Sequence, residues 1–370
     1  MPRILLTGDE HIGRDYSTIE KEDAHCALRL REARLEALQN AVRAAEDNAC
    51  DYFVIAGDLF DKTEIDVKLV KKVCGILAEC PCPVIVLPGN HDYCAAAGET
   101  LWKQFCEYKA DNTVLLSSPC AYDAGKAVFY PCPCEARYSE VNALGWLSEY
   151  RERSAEKPNI GIAHGALAGL SCDREKRYFS MTEDELSSLG MQLWLIGHTH
   201  IPYPAGDEII GASVFNAGTH QQTDIADSAE GSVFIIDIDK STVRAKRIKT
   251  GVVSFVRRAL TLSAGDSLSA RIMGELSGLE SANTVFRLKI GGILGADEFR
   301  NRAGVYDELR ERLLRLETDD GELKEEITAE MIDAETLEGT AENRLLKRYL
   351  SSPRLLETAY LLIKRVKDGD

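Results

Sequence analysis

The first 200 residues of the sequence predict an α/β fold, in which strands alternate with helices. Short apolar runs rich in β-branched residues recur along this region, and segments with helical periodicity lie between them. Most of these runs are apolar at nearly every position, which is typical of strands that are covered on both faces.

The apolar runs define the candidate strands, which are Ile4–Thr7, Tyr52–Ala56, Val84–Leu87, Val114–Leu116, Val128–Tyr130, Ile160–Ala163 and Leu193–Ile196. The longest helical pattern extends from about Asp23 to Asn48. Its apolar residues approximate one helical face, and they are Ala27, Leu30, Leu35, Leu38, Val42 and Ala45.

After Gly206 the sequence changes to strand patterns at Ser213–Asn216, Val233–Ile238 and Val243–Ile248. Further on, Phe286–Ile290 alternates apolar and basic residues, which predicts a half-buried strand with a basic outer face. Two amphipathic helices are expected after it, on Tyr306, Leu309, Leu313 and Leu316, and on Leu355, Ala359, Leu362, Ile363 and Val366. This change of pattern predicts a domain boundary near residue 255, with domains at 1–255 and 256–370.

The composition is that of an ordinary globular protein, with 45% hydrophobic and 28% charged residues among 370. The net charge of −16 lies in the first 240 residues, because basic and acidic residues balance from Ser241 onward. An acidic protein repels nucleic acid on average, so any contact with DNA requires a local basic surface.

The sequence predicts a cytoplasmic protein with no membrane association. No apolar run approaches the roughly 18–20 residues of a membrane span, and the first residues predict a strand rather than a signal peptide. The 11 cysteines are odd in number and form no CxxC pair, which favours reduced thiols. A metal site at Cys80-Pro81-Cys82 or Cys132-Pro133-Cys134 is the weaker alternative.

Five short motifs stand where a predicted strand gives way to a loop. They are Gly8-Asp9-Glu10-His11, Gly57-Asp58-Leu59-Phe60-Asp61, Gly89-Asn90-His91-Asp92, Ala163-His164-Gly165 and Gly197-His198-Thr199-His200. Because ligands of open α/β sheets bind beyond the carboxyl ends of the strands, these motifs are expected to converge at one edge.

Seven residues of these motifs predict a site for two divalent metal ions: Asp9, His11, Asp58, Asn90, His164, His198 and His200. Carboxylate and amide oxygens together with neutral imidazoles are suitable ligands for such ions, and a shared carboxylate holds a pair about 3.5–4 Å apart. Of the seven histidines in the chain, five lie in the motifs and only His25 and His220 lie outside them. A lone histidine beside a strand is usually structural, but five at strand ends are not explained in that way.

In their order along the chain, the motifs resemble those of the calcineurin-like metallophosphoesterase superfamily. The stretch Val54–Asp61, and the passage from Asn216-Ala217-Gly218-Thr219 to Gly231–Ile236, resemble the SbcD-type DNA repair exonucleases. The resemblance covers about residues 1–250 and continues weakly into Thr284–Arg302. It implies a two-sheet α-β-β-α sandwich with a smaller C-terminal α+β capping domain.

The resemblance also implies a role for each motif residue. Asp9, His11 and His200 would hold one ion, Asn90, His164 and His198 the other, and Asp58 would bridge them. His91 is similar to the catalytic histidine of the family, which protonates the leaving oxygen, and Asp92 would orient it. Asp61 stands where some nucleases of this family carry a second histidine, so its part in substrate binding is open; the simpler interpretation is a carboxylate that caps a loop.

For the second half, the resemblance implies a domain that caps the site and selects DNA ends. Arg287 and Lys289 are candidate phosphate contacts, although a solvated strand face explains them equally well. The final helices are expected to form the core of the cap or to dock an SMC-like ATPase of the SbcC type. The family usually forms dimers through the nuclease domain, so a homodimer is expected.

The resulting prediction is a manganese-dependent phosphodiesterase, a DNA exonuclease or endonuclease acting in DNA repair. One alternative is a phosphodiesterase for a cyclic nucleotide or another small diester, against which the extra domain argues. A second alternative is a non-catalytic binding scaffold, but such proteins tend to lose metal ligands and this sequence has the full set.

Overall fold

The computed structural model describes residues 1–95, 99–150, 152–171, 173, 175, 177–225, 229–239 and 242–368. The chain divides into two compact units, Met1–Phe255 and Val256–Asp370. No helix in this described part of the chain combines the length and the apolar character that crossing a bilayer requires.

The strands of the first unit are Arg3–Thr7 (β1), Tyr52–Ala56 (β2), Val84–Leu87 (β3), Thr113–Leu115 (β4), Tyr122–Asp123 (β5), Val128–Cys132 (β6), Asn159–His164 (β7), Leu193–Gly197 (β8), Glu208–Ile210 (β9), Val214–Asn216 (β10), Ser232–Ile238 (β11) and Val243–Lys249 (β12). Its helices are Ser17–Glu22 (α1), Ala24–Asp47 (α2), Val67–Ala78 (α3), Glu99–Tyr108 (α4), Trp146–Glu149 (α5) and Glu183–Ser188 (α6). The long helix predicted between Asp23 and Asn48 is confirmed as α2, and Asp23 caps it by accepting from the Cys26 N–H.

The strands of the first unit form two sheets. One has the order β4-β3-β2-β1-β11-β12-β9, and the other has the order β10-β8-β7-β6-β5. Strands β1 to β4 run parallel to one another, as do β6, β7, β8 and β10. The carboxyl ends of neighbouring strands therefore meet at one edge of each sheet.

Successive side chains of a strand pack on opposite faces of its sheet and so belong to different layers of the fold. In β1, Leu5 packs with the helices α2, α3 and α4, whereas Ile4 and Leu6 pack between the sheets against residues such as Ile160 and Ile162. The far face of the second sheet packs on α5 and α6, with Trp194 and Ile196 in that cluster. The α-β-β-α sandwich is thus confirmed, and its strands are covered on both faces as their apolar sequences indicated.

The second unit is a smaller α+β structure. Ser254–Leu262 (β13), Thr284–Leu294 (β14) and Arg315–Glu325 (β15) form a three-stranded sheet in that order. The helices are Leu268–Glu275 (α7), Ala296–Arg312 (α8), Ala329–Glu335 (α9), Ala341–Arg348 (α10) and Pro353–Asp368 (α11), and a 3₁₀ turn occupies Ser281–Asn283.

One helix was predicted to be longer than the structure shows. Tyr306 and Leu309 lie on α8, but this helix ends at Arg312, and Leu316 belongs to β15. The sequence of β15, RLETDDGELKE, has little strand propensity. It pairs in parallel with the basic strand β14, where Arg287 stands opposite Glu317, so cross-strand charge pairing overrides the local preference.

Candidate metal centre

The five motifs lie at or just beyond the carboxyl ends of β1, β2, β3, β7 and β8, and their side chains meet in one cluster. Three groups of side chains bring their ligand atoms within 4.8 Å of one another: Asp9, His11 and His200; Asp9, Asp58 and His164; and His11, Asp58 and His91. Asn90 joins them through its Oδ1, which lies 2.9 Å from His164 Nε2 and 3.0 Å from His198 Nδ1. All seven residues predicted as metal ligands are therefore close together.

Asp58 lies between the two sides of this cluster. Its Oδ2 is 3.2 Å from His164 Nε2 and 3.7 Å from His11 Nε2. Its Oδ1 accepts a 2.8 Å hydrogen bond from the backbone N–H of His91. The carboxylate thus connects the first, third and fourth motifs, which is the position that a bridging ligand requires.

The backbone of the cluster is strained where the side chains converge. Four residues have positive φ angles, which residues other than glycine rarely adopt. These angles are 55° for Asp9, 44° for His11, 55° for Asp58 and 106° for His198. Such residues cost about 1–3 kcal/mol each and are concentrated at functional sites. The surrounding fold holds the strain, for example through the bonds from Asp9 N–H to Gly57 O and from His11 N–H to Asp58 O, of 3.0 and 2.9 Å.

Glycines of the motifs provide the space for this approach. A Cβ on Gly57 would lie 2.1 Å from His164 Nδ1, and one on Gly89 would lie 2.2 Å from Asp58 Oδ1. Any side chain at either position would push a candidate ligand out of the cluster.

Burial and the local charges set the protonation of the cluster. Burial lowers the pKa of His11 and of His198 to about 3, so both rings are neutral at pH 7, the form that binds a metal. Burial opposes a proton on His164 as well, but the Asp58 carboxylate raises its pKa to about 9. Burial, more than any other effect, raises the pKa of Asp9 to about 6. The buried carboxylates of Asp9 and Asp58 beside the neutral rings of His11 and His198 are electrostatically suited to divalent cations.

The spacing of the donor atoms fits metal ions too. His11 Nε2 and His200 Nε2 face each other at 3.0 Å. Two nitrogens that bind one ion at about 2.1 Å, at right angles to each other, lie about 3.0 Å apart. The other ring nitrogens of two of the histidines have hydrogen-bond partners. His164 Nδ1 lies 2.9 Å from Ala56 O, and His200 Nδ1 lies 3.2 Å from Thr223 Oγ1. Partners of this kind fix the orientation of metal-binding rings.

His91 sits at the rim of the cluster, with its side chain 27% exposed. Its Nδ1 lies 2.9 Å from the carbonyl oxygen of Asp61, which can only accept, so Nδ1 carries the proton in this contact. This leaves Nε2 as the ring nitrogen available to a substrate.

The expected contact between Asp92 and the His91 ring needs correction. The Asp92 carboxylate accepts instead from the backbone N–H groups of Phe60 and Gly89, at 3.0 and 2.7 Å. It is fully buried and ties the second motif loop to the third. The contact that orients His91 comes from the backbone carbonyl of Asp61, whereas the Asp61 carboxylate lies 3.1 Å from His11 Nδ1.

Arg287 and Lys289 lie on β14 in the second unit, where both are paired with carboxylates of β15. Arg287 Nη2 is 2.6 Å from Glu317 Oε2, and Lys289 Nζ is 2.6 Å from Glu322 Oε1. These pairs offset the two positive charges, which weakens the case for either residue as a phosphate contact.

Sequence reasoning missed a buried arginine that supports the first motif. Arg34 on α2 is 1% exposed, donates from Nη1 to the carbonyl of Glu10 at 2.6 Å, and donates from Nε to Tyr16 Oη at 3.0 Å. Glu10 stands between the candidate ligands Asp9 and His11. In the sequence Arg34 looks like one more charge on a long amphipathic helix, so nothing local pointed to this contact.

We expect Arg34→Leu to lower the affinity for manganese by about 10–100-fold, the usual effect of losing a group that supports a metal ligand. The variant also leaves two buried acceptors unpaired, at about 1–3 kcal/mol each, so its thermal midpoint should fall. Arg31→Leu is the matched control, because Arg31 lies on the same helix but pairs with Glu20 at the surface. Unchanged manganese affinity in Arg34→Leu would contradict a supporting role.

Comparison with known proteins gives a family and distant relatives. The sequence model of the family described as calcineurin-like phosphoesterase matches residues 2–202. The uncharacterized metallophosphoesterase YhaO of Bacillus subtilis (strain 168) is 23% identical over 273 residues, which cover 72% of this chain and 64% of YhaO. The DNA double-strand break repair protein Mre11 of Aeropyrum pernix is 25% identical over 217 residues, which cover 55% of this chain and 50% of that protein.

Among solved structures, the crystal structure of TT1561 of Thermus thermophilus is similar, with a TM-score of 0.41 and 16% identity. The similarity covers 67% of this chain and 99% of that one. The chain spans less than two thirds of the length of both curated relatives.

Proposed function

The chain belongs to the calcineurin-like phosphoesterase family, whose members use divalent metals, and we propose that it hydrolyses phosphodiester bonds at a pair of such ions. The observation that carries this proposal is the convergence of two carboxylates, one amide and four imidazoles at adjoining strand ends. A binding scaffold without activity has no need of such a complete donor set or of the backbone strain that positions it.

Two sets of side chains would hold the ions. Asp9, His11 and His200 form one set, Asn90, His164 and His198 form the other, and Asp58 reaches both. When bound, two ions of this kind lower the pKa of a water molecule and offset the charge of the phosphate. Manganese accepts this mixture of oxygen and nitrogen donors, and the preference for it rests on the family resemblance.

His91 would supply the proton for the leaving oxygen from Nε2. The carbonyl of Asp61 holds the opposite side of the ring, so the ring keeps one orientation toward the cluster. Asp92 acts indirectly, because it fixes the loop that carries His91 and Asn90.

We propose that the substrate is DNA and that the enzyme acts in DNA repair. We also propose that it is located in the cytoplasm. The support is the resemblance of Val54–Asp61 to SbcD-type nucleases and the distant match to a protein named as a DNA double-strand break repair protein. The second unit provides an additional domain that a small diester would not require. A cyclic nucleotide or other small diester remains the alternative that the assay must distinguish.

The docking of an SMC-like ATPase is part of the same proposal. Leu355, Leu362 and Val366 lie on one side of α11 with 55%, 56% and 78% of their surfaces exposed. An apolar helical face of this kind suits a groove on a partner. The homodimer rests on the family resemblance, and light scattering of the purified chain tests it.

The test is the digestion of end-labelled double-stranded and single-stranded DNA with manganese, with His91→Ala as the control. We expect the wild type to degrade DNA and the variant to leave it intact, and the label then shows the polarity. If the wild type leaves DNA intact, with and without its ATPase partner, but cleaves a small aryl phosphodiester, the DNA proposal is wrong and the hydrolase proposal stands.

A further inference from the structure

A chain of aromatic rings leads outward from the candidate metal centre. The ring of Tyr178 lies tilted against His198 with centroids 5.0 Å apart, and the ring of Tyr138 meets Tyr178 edge-on at 5.4 Å. Backbone bonds lock the two tyrosine segments together, from Ser139 N–H to Arg177 O and from Phe179 N–H to Ser139 O, at 2.8 and 2.9 Å. The segment is also tied to the centre, because Asn90 Nδ2 donates to the carbonyl of Arg137 at 3.2 Å.

Tyr138 lines a cavity of about 420 Å³ together with Pro133, Trp146 and Phe179. This volume is within the range of small-ligand pockets. Tyr138 is 54% exposed, whereas Phe179 is buried. A large aromatic side chain that packs edge-on against the Tyr178 ring, yet is half open to solvent, offers a stacking surface to a flat ligand.

Charged groups of both signs lie near Tyr138. The Arg137 guanidinium lies 5.8 Å from the ring centroid, and its Nε donates to the Tyr138 hydroxyl at 3.3 Å. Within the described part of the chain no carboxylate pairs with Arg137, unlike Arg287 and Lys289. The cavity itself includes Glu135, which repels a phosphate and can accept from an exocyclic amine. The arrangement suits a ligand with a neutral flat ring and an adjoining anion.

We infer that this cavity receives an unpaired nucleobase within a few nucleotides of the cleaved bond, with Tyr138 as its stacking surface and Arg137 as a contact for the neighbouring phosphate. The two ring contacts span at most about 10 Å from His198 to Tyr138, a distance that about three base steps of 3.4 Å cover. Aromatic surfaces of this kind bind single strands with little sequence preference. The inference rests on the proposed function and narrows its substrate to a single-stranded or frayed nucleic acid end.

The first test measures binding without turnover. A short single-stranded oligonucleotide carrying 2-aminopurine at its end is titrated with the full chain in EDTA, because stacking on tyrosine quenches this base. We expect quenching with the wild type and with Tyr138→Phe, and none with Tyr138→Ala. Tyr108→Ala is the matched control, since Lys71 lies over the Tyr108 ring at 4.3 Å in the helix-covered part of the same unit. Equal quenching by Tyr138→Ala, or none by the wild type, would overturn the inference.

The second test uses kcat/KM with manganese on an oligonucleotide and on the same strand with abasic sites near its end. Tyr138→Ala should lose roughly 5- to 150-fold on the intact strand, the range for one base–aromatic stack, and nothing on the abasic strand. An equal loss on both strands would refute base stacking. Quenching without cleavage, both with and without the ATPase partner, would leave the base site standing and refute the nuclease proposal. Cleavage without quenching would refute the base site and leave the nuclease proposal standing.

Discussion

Asp58→Ala is expected to lose both divalent ions and to lower phosphodiester hydrolysis by about 10³-fold or more, because metal ions supply several kcal/mol of charge stabilisation. Asp58 Oδ2 lies near both His164 and His11, and Oδ1 holds the backbone of His91, so the substitution affects both candidate ion positions together. Equilibrium dialysis against manganese, followed by metal analysis, measures the loss.

Asp58→Asn separates the effect of the negative charge of this side chain from the effect of its shape. The amide keeps the shape of the carboxylate but removes the negative charge, so it should still bind manganese poorly. Asp51→Ala is a matched control, because Asp51 pairs with Lys126 and with the Arg3 backbone outside the cluster. If Asp58→Ala keeps two ions per chain and its activity, Asp58 is not a bridging ligand.

His91→Ala is expected to retain two ions and to lose about 10²–10⁴-fold in kcat, the usual contribution of a general acid or base. The physical reason is that the ring is oriented by Asp61 and leaves Nε2 free, while the seven other donors remain in place. Metal analysis and steady-state kinetics on a small aryl diester measure the two effects separately.

The geometry also allows a competing role for His91, because its ring nitrogen comes within 4.8 Å of the ligand atoms of His11 and Asp58. If His91 were a ligand, its replacement would remove an ion along with the activity. A substrate with a better leaving group distinguishes the roles further, since it needs less protonation and should rescue a missing acid but not a missing ligand.

Much of the fold could be predicted because the strands of the first unit are covered on both faces. Continuous apolar runs such as Tyr52–Ala56 are unusual in other settings, and the helices between them have clear periodicity. Strand β15 could not be predicted, because its acidic residues become a strand only opposite the basic residues of β14, about 30 positions earlier in the chain.

The ligand cluster could be predicted because each candidate lies at the carboxyl end of a strand or within a few residues of it, and the ends of parallel strands meet at one edge of a sheet. Contacts between segments that are distant along the chain could not be predicted from the sequence. Arg34 reaches the carbonyl of Glu10 from another element, and Asp61 rather than the adjacent Asp92 holds His91. Nothing in the sequence pointed to Tyr138 either, because a single tyrosine in a loop belongs to no periodic pattern. Its edge-on contact with Tyr178 arises only in the folded chain.

The proposed chemistry depends on one site of this chain that holds two ions together. The most direct measurement is manganese binding by equilibrium dialysis combined with electron paramagnetic resonance of the loaded protein. We expect two manganese ions per chain and the spectrum of a spin-coupled pair, as is typical of ions about 3.5–4 Å apart. A single ion, or two ions with uncoupled spectra, would contradict it.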